Sequence, residues 1–303
     1  MTPQIVVVGS TMIDLLVYAE RSPEKGQTVT GERLTIGHGG KGANQAVMAA
    51  RLGAEVTFVT RVGNDVFGEM ARASLAEQGL DLSRVKRVPG QSTGVASIWI
   101  EPDGTNRILI VPGANGALSP EDVAGDLAEV APADCIVCQL EVSSEAARAA
   151  LRWGRTSGAI TILNPAPATP LDREMLELVD WLIPNETEFW DLFGGEPTDG
   201  RLVEVASALA GGLIVTLGDD GAATVVDGHV VRVPPPRAAT IDTTGAGDAF
   251  VGALAYSLSM ETPLDAAITF ANRCGALSTT RFGTQSSFPD AAELLLEGAP
   301  SEA

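Results

Sequence analysis

The sequence predicts an α/β fold: a three-layer α/β/α sandwich on one mainly parallel sheet, with a small β-sheet lid. Strand-like and helix-like segments alternate along most of the 303 residues. Many of the strand-like segments are unbroken apolar runs, as expected where helices cover both faces of a parallel sheet. Two stretches break the alternation and show a period of two instead, enough for a small accessory sheet.

In chain order, "IVVVGS" reads as the first strand. The stretch that follows, "DLLVYAERSPEKGQTVTGERLTIGHGG", holds β-like alternation and belongs to no βαβ unit. "ANQAVMAARLG" is a helix closed by Gly53, and "AEVTFVTRVG" is a strand. "NDVFGEMARASLAEQG" is an amphipathic helix closed by Gly79. "STGVASIWI" and "RILIVPGAN" flank Asp103-Gly104, a hairpin signal, and supply the second accessory stretch. "SPED", Ser119 to Asp122 with Pro120 at the first helical position, starts another helix. Strand and helix then alternate through "DCIVCQLE", "SEAARAALRWGRTSG", "AITILNP", "DREMLELVD", "WLIPN", "ETEFWDLFG", "RLVEVASALA" and "LIVTLG". "RVPPPRAAT" is a Pro-rich approach to "DTTGAGDAF", after which "AFVGALAYSL" is helical. "EGAPSEA" reads as a loose tail.

Composition excludes several function classes. A net charge of −19 argues against nucleic acid, whose phosphates need a basic surface, and against an anionic membrane. No run approaches the roughly 18 apolar residues of a membrane span. The N-terminus lacks the basic region of a signal peptide, so a cytoplasmic location is expected. Cys135 and Cys138 form a C-x-x-C on a strand, where positions three apart face opposite ways; buried inert thiols are the expectation. With only His38 and His229, a His-based metal site or triad has little to draw on.

"DTTGAGDAF", Asp242 to Phe250, carries the chemistry. Glycines permit close backbone approach, and free N–H groups at a helix start make an anion hole. Asp248 would repel a merely structural anion. A phosphoryl-transfer site needs both parts: amides for the transferring group and a base for the attacking hydroxyl. On this motif alone the alternative stays open that Asp248 caps the helix. "GHGGKG", Gly37 to Gly42, fits G-x-G-x-x-G by letter but does not directly follow the first strand, as a dinucleotide fingerprint should. A Walker A loop would need Gly at Thr35 and Ser or Thr at Gly42.

"GGKGANQAVMAARLGA" and "DTTGAGDAFVGAL" resemble the two signatures of the ribokinase-like (PfkB) carbohydrate kinases. "GSTMIDLL", "STGVASI", "PGAN", "CQLE", "NPAPA", "PNETE", "TLGDDG" and "GTQSSFP" extend the likeness, in the same order, over roughly residues 4–290. The resemblance implies a single kinase domain over 1–303, with a lid from segments within about 12–38 and 92–112 that closes over the sugar. It implies ATP-dependent phosphorylation of a pentose, D-ribose at O5, with Asp248 as base and Gly245, Ala246 and Gly247 lining the anion hole. Met12, Ile13, Asp14, Gly40, Lys41, Gly42, Ala43, Asn44 and Glu141 would hold the sugar together with Asp248. Asn185 would sit by the phosphates, and Glu188 would organise Mg²⁺ and its waters. Thr216, Leu217, Gly218, Asp219, Asp220, Gly221 and Asn272 would border ATP, with Gly247 and Asp248. Asp242, Thr244, Ser278, Arg281, Gly283 and Ser287 would cradle a monovalent cation, K⁺, mostly through backbone oxygens.

Taken singly, these residues have plainer roles: Asn44 and Asn185 as caps, Asp14 in a turn, Lys41 in a solvated loop, Arg281 with Asp242 as a surface ion pair. A non-catalytic ATP- or sugar-binding protein on the same fold and an NAD-dependent dehydrogenase are the rival classes. Met12 departs from part of the family, in which an Asn there hydrogen-bonds the sugar. Met accepts only weakly, so 2-deoxy-D-ribose is the expected alternative substrate. "VASIWI" is apolar on both faces, and a lid has only one face toward the sugar. A homodimer joined through the lids is expected.

Overall fold

The computed structural model describes residues 2–296. The tail "EGAPSEA", residues 297–303, lies outside the described residues. The chain runs β1 (Gln4–Val8), β2 (Met12–Tyr18), β3 (Arg33–Gly39), α1 (Lys41–Arg51), β4 (Glu55–Gly63), α2 (Val66–Glu77), β5 (Val85–Val88), β6 (Gly94–Ile100) and β7 (Asn106–Val111). It continues α3 (Pro120–Leu127), β8 (Cys135–Cys138), α4 (Ser144–Ser157), β9 (Ile160–Leu163), α5 (Arg173–Glu177), β10 (Trp181–Leu182), α6 (Glu186–Phe193), α7 (Asp199–Ala208) and β11 (Gly212–Thr216). It closes with the hairpin β12 (Ala222–Val226) and β13 (His229–Val233), then α8 (Ala246–Ser259), α9 (Leu264–Ser278) and α10 (Ala291–Leu296).

The main sheet has nine strands in the order β13-β12-β11-β10-β9-β8-β1-β4-β5. All pairings are parallel except those that add β12 and β13 at one edge. Alternate residues of its strands feed two cores. Ile5, Val7, Cys135, Val137 and Ile162 pack toward α1, α8 and α9; Val6, Val8, Ile136, Cys138 and Leu163 pack toward α4 and its neighbours. The unbroken apolar runs therefore cover both faces, as their sequence requires. The C-x-x-C thiols fall on opposite sides of the sheet, and burial raises both above the ordinary thiol range. They are inert where they stand.

β2, β3, β6 and β7 form a separate four-stranded sheet in the order β3-β2-β6-β7. The Asp103-Gly104 turn joins β6 to β7, with Gly104 at φ 86°. Ser119 and Asp122 close a reciprocal capping box at the start of α3, with Pro120 in its first turn. None of the helices among the described residues is long and apolar enough to cross a membrane.

Strand order reverses about β1 and β8, since β1 leads to β4 on one side and the later strands add on the other. In open α/β sheets the crevice beyond the strand C-termini at such a reversal is where ligands bind. Ser10, Gln139, Asn164, Asn185 and Thr216 all stand at or just past the C-terminal ends of β1, β8, β9, β10 and β11. The candidate site is laid out along this edge.

Candidate active site

α8 starts at Gly245, whose φ of 80° and ψ of 0° place it in the left-handed region. No side chain caps this helix start. A Cβ on Gly245 would come 2.5 Å from Thr284, so glycine is required here on two counts. Among the described residues the N–H groups of Gly247 and Asp248 have no acceptor, whereas that of Ala246 reaches Thr243 O at 3.2 Å. The free N–H groups and the positive end of the α8 dipole make a seat for an anion.

Asp248 does not cap this helix. Its carboxylate receives Asn44 Nδ2 on Oδ2 at 2.8 Å and Gln45 Nε2 on Oδ1 at 2.9 Å, and the residue is 7% exposed. Both partners ride on α1, which packs closely on α8 where Gly252 meets Gln45 and Met48. Gln45 Nε2 also reaches Asn164 Oδ1 at 3.1 Å, and Asn164 Nδ2 donates to Ile183 O at 2.8 Å. The base candidate is thus anchored in a buried amide network.

Beside it, α1 begins with Lys41. Glu141 accepts from Lys41 N at 2.8 Å and from Ser10 Oγ at 2.5 Å. Asp14, on β2, lies against the backbone of Gly39, where a Cβ would sit 2.3 Å from its Oδ2. Burial first, then the charges of Glu141 and Asp248, push the Asp14 carboxyl up to about 6. Burial works against the Lys41 ammonium, but the carboxylates of Asp248, Glu141 and Glu188 outweigh it and hold its pKa above the ordinary lysine value. Glu188 is raised chiefly by burial, against the backbone N–H of Asn185 and the Lys41 charge.

Two joined cavities lie over this group. A pocket of about 170 Å³ is lined by Lys41, Asn164, Glu188, Gly245 and Asp248. A cleft of about 740 Å³ opens from it, sharing Asn185, Thr216 and Gly247, and runs past Gly218, Asp219, Gly221 and Asn272. A compartment lined by two carboxylates and an ammonium thus joins a larger one beside a helix N-terminus. This arrangement suits transfer of a phosphoryl group from a nucleotide to a small hydroxyl compound.

The sequence matches the pfkB family carbohydrate kinases over residues 2–291. The chain belongs to the pfkB carbohydrate kinase family. This kinase is 39% identical to the deoxyribokinase of Salmonella typhi over 292 residues, 94% of this chain and 95% of that protein. It is 38% identical to the ribokinase of Mus musculus over 295 residues, 94% and 91% of the two chains. The solved structure of Arabidopsis thaliana ribokinase complexed with ribose and ATP matches it with a TM-score of 0.89 at 31% identity, covering 98% of both chains. Family membership sets aside the dehydrogenase reading.

Against this kinase's structure, most sequence-predicted positions converge and some do not. Met12, Asp14, Gly40, Lys41, Gly42, Asn44 and Glu141 gather about β2, α1 and the end of β8. Met12 is buried, shares a strand face with Asp14, and packs in neither core. The side chains of Ile13 and Ala43 lie in the core, because their parity on β2 and on α1 turns them inward, and the Ala43 N–H is spent on Ser10 O. Leu217 likewise turns into the opposite core, and Asp220 is exposed and does not line the cleft. Asn185 does cap α6, in a reciprocal box with Glu188, and lines both cavities as well.

Asp242 accepts from Thr244 N and Oγ1 and from Gly283 N, which joins the two loops predicted to hold a cation and keeps its carboxyl below the usual range despite burial. Arg281 pairs with Glu293 instead of Asp242. The Ser278 and Ser287 hydroxyls are spent on Gly275 O and Thr284 O, which leaves their backbone oxygens as donors. Sequence reasoning overlooked Ser10, Gln45, Gln139, Asn164 and Gln285. Each stands inside a stretch that carries the family likeness, and that position was the available signal.

Proposed function

We propose that this chain is a ribokinase: an ATP-dependent kinase that phosphorylates D-ribose at O5 to give D-ribose 5-phosphate and ADP. The observation that supports this best is the setting of Asp248. Its carboxylate is held by two amides at an uncapped helix start, between the pocket bearing Lys41 and the cleft bordered by Thr216 and Asn272.

Asp248 takes the proton from the 5-hydroxyl as that oxygen attacks the γ-phosphorus. The N–H groups at the start of α8 hold the transferring group as charge builds on its oxygens. Asp14 and Glu141 accept from the other hydroxyls, the second hydrogen on Asn44 Nδ2 is free to donate to one, and Lys41 offsets charge beside the phosphates. Asn185 borders the phosphates, while Gly218, Asp219, Gly221 and Asn272 border the base and its ribose. The β2-β3-β6-β7 sheet serves as a lid that closes over the sugar and keeps water from the γ-phosphate.

Among the described residues no group of three acidic, His or Cys side chains stands ready to hold a metal. Mg²⁺ keeps its waters and binds through one or two carboxylates plus substrate phosphates, and Glu188 lines the smaller pocket as such a carboxylate. Glu188 would hold its waters, and the ion would supply neutralisation of phosphate charge. K⁺ would be held by the loops that Asp242 joins, through backbone oxygens of the 242–244 and 278–287 stretches, where it would set the geometry of the anion seat.

A second substrate is favoured by one residue. Met12 puts a thioether, not an amide, on the strand face of Asp14, so a missing sugar hydroxyl leaves no protein group unpaired. We therefore expect 2-deoxy-D-ribose to be accepted, with ribose preferred or equal because Asp14 and Glu141 remain. One ADP-release panel tests these readings. It uses D-ribose, 2-deoxy-D-ribose, fructose, adenosine and no sugar, in potassium and in choline chloride at fixed ionic strength. Turnover confined to fructose or adenosine would overturn the ribose assignment. A preference for ribose above about a thousandfold would refute the Met12 argument alone. Equal rates in the two salts would remove the cation.

A further inference from the structure

The two amides on Asp248 are themselves held by two more. A side-chain amide carries N–H groups on one arm and an oxygen on the other, and a half turn exchanges them. Reversed, Asn44 or Gln45 would aim an oxygen at the Asp248 carboxylate and repel it. Gln285 Nε2 donates to Asn44 Oδ1 at 3.0 Å, which leaves Asn44 Nδ2 facing Asp248. Gln139 Nε2 donates to Gln45 Oε1 at 2.5 Å, which leaves Gln45 Nε2 facing the other carboxylate oxygen. Two chains of the same polarity thus run inward from opposite sides. One comes from the end of β8, the other from the single helical turn 285–287.

The outer oxygens of both chains meet no further donor of the protein among the described residues. Gln139 Oε1 and Gln285 Oε1 are buried with no partner among the described residues. Each glutamine spends its amide N–H groups on a neighbouring side-chain amide, not on the backbone.

We infer that Gln139 and Gln285 are positioning residues for phosphoryl transfer. Each orients the amide that touches Asp248, and together they hold that carboxylate in line with the attacking hydroxyl. The inference rests on the reading of Asp248 as the base. It makes the 285–287 turn part of the base's mounting, although among the described residues no side chain of that turn hydrogen-bonds Asp248.

The test uses Gln285→Met and Gln139→Met, which keep the length of the side chain and remove both the donor and the orphaned oxygen. The expected result is a kcat lowered about tenfold, because a small misplacement of a reacting group is costly. The KM for ATP should stay within about twofold, so that the loss appears in kcat and not in nucleotide binding. Gln285→Glu keeps the shape but only accepts, so it turns Asn44 round; its kcat should fall below that of Gln285→Met. A packing role predicts the reverse order and a lowered Tm for the Met variants. A Gln285→Met enzyme with kcat within about twofold of wild type overturns the inference, as does a Glu variant at least as active as the Met variant. The Met variant carries the test by itself if the Glu variant does not fold. Asp248→Asn measured alongside separates the two readings. If it keeps its turnover, the base assignment fails. If it is dead while both Met variants are active, only the orienting role of the glutamines fails.

Discussion

Asp14 shows what the site costs a single residue. Its carboxyl is raised from the ordinary carboxylate value of 3.8 to about 6 by burial and by two neighbouring carboxylates. A folded state that binds the proton more tightly than the unfolded one gains stability at low pH and loses it as the pH rises from about 4 through about 6. At neutral pH the ionised Asp14 therefore destabilises the fold, by an amount on the order of 3 kcal/mol. Asp14→Asn should melt higher than wild type at pH 7, with the gap closing by about pH 4, while sugar turnover drops. Equal melting at pH 7 would count against this assignment. Asp248 is the complementary case. Asp248→Asn should keep the fold and ATP affinity and lose about 10²–10⁴ in turnover. Calorimetric ATP binding with steady-state rates would check it, and a variant within about threefold of wild type removes Asp248 from the role.

The element that delivers the site is the α1–α8 pair. α8 is apolar almost all round, with Ala249, Val251, Ala253, Leu254 and Ala255 buried behind the Gly245–Asp248 turn. Gly252 sets the spacing: a Cβ there would come 2.6 Å from Gln45 O and 2.8 Å from Met48 Cβ. A methyl at this point must part the helices, and the amides of Asn44 and Gln45 part from Asp248 with them. Gly252→Ala should destabilise by about 1–3 kcal/mol in urea unfolding. It should also lower kcat, although the residue touches no substrate. Normal kcat in a destabilised Gly252→Ala enzyme would mean that the helix spacing does not set the geometry of the base. Gly42 plays the same part against β1, where a Cβ would come 2.6 Å from the backbone of Gly9 and Ser10.

For the whole molecule, the unfinished surface is the small sheet. Leu34, Ile36, Trp99 and Leu109 lie on one face and Ile108 and Ile110 on the face of Asp14, all exposed; Leu109 is 69% accessible. A lid folding onto the sugar covers one face at most. We propose that a second copy covers the other, lid against lid, since contiguous apolar patches of this kind mark interaction surfaces and two-fold pairing is the commonest way to bury them. Sedimentation at micromolar concentration should show a dimer, and Leu109→Glu should give a monomer with its melting temperature largely kept. A wild-type monomer under those conditions would defeat the proposal.

The sequence by itself determined the alternating elements, the mainly parallel sheet, the two accessory stretches and the family, because each rests on local periodicity or on the order of short motifs. Even so, α9 and the β12–β13 hairpin were not legible to the periodicity reading. The hairpin carries a turn signal in Asp227-Gly228, with φ of 49° and 76°. Its strands are short, and the "LDAAITFANRCGALS" of α9 has no side-chain cap to mark its start. Only the tertiary structure decided which side chains meet. Asn44 and Asp248 are 204 residues apart, and Gln285 is 241 residues from Asn44. Nothing local tells an asparagine that caps a helix, as Asn185 does, from one that grips a carboxylate, as Asn44 does. Nor does a motif show that Ile13, Ala43 and Leu217 turn into the core while their neighbours face the site. Element type is set by the repeat along the chain. Convergence is set by which helices the two cores press together, and here the spacing at Gly252 brings the amides of α1 onto Asp248 of α8.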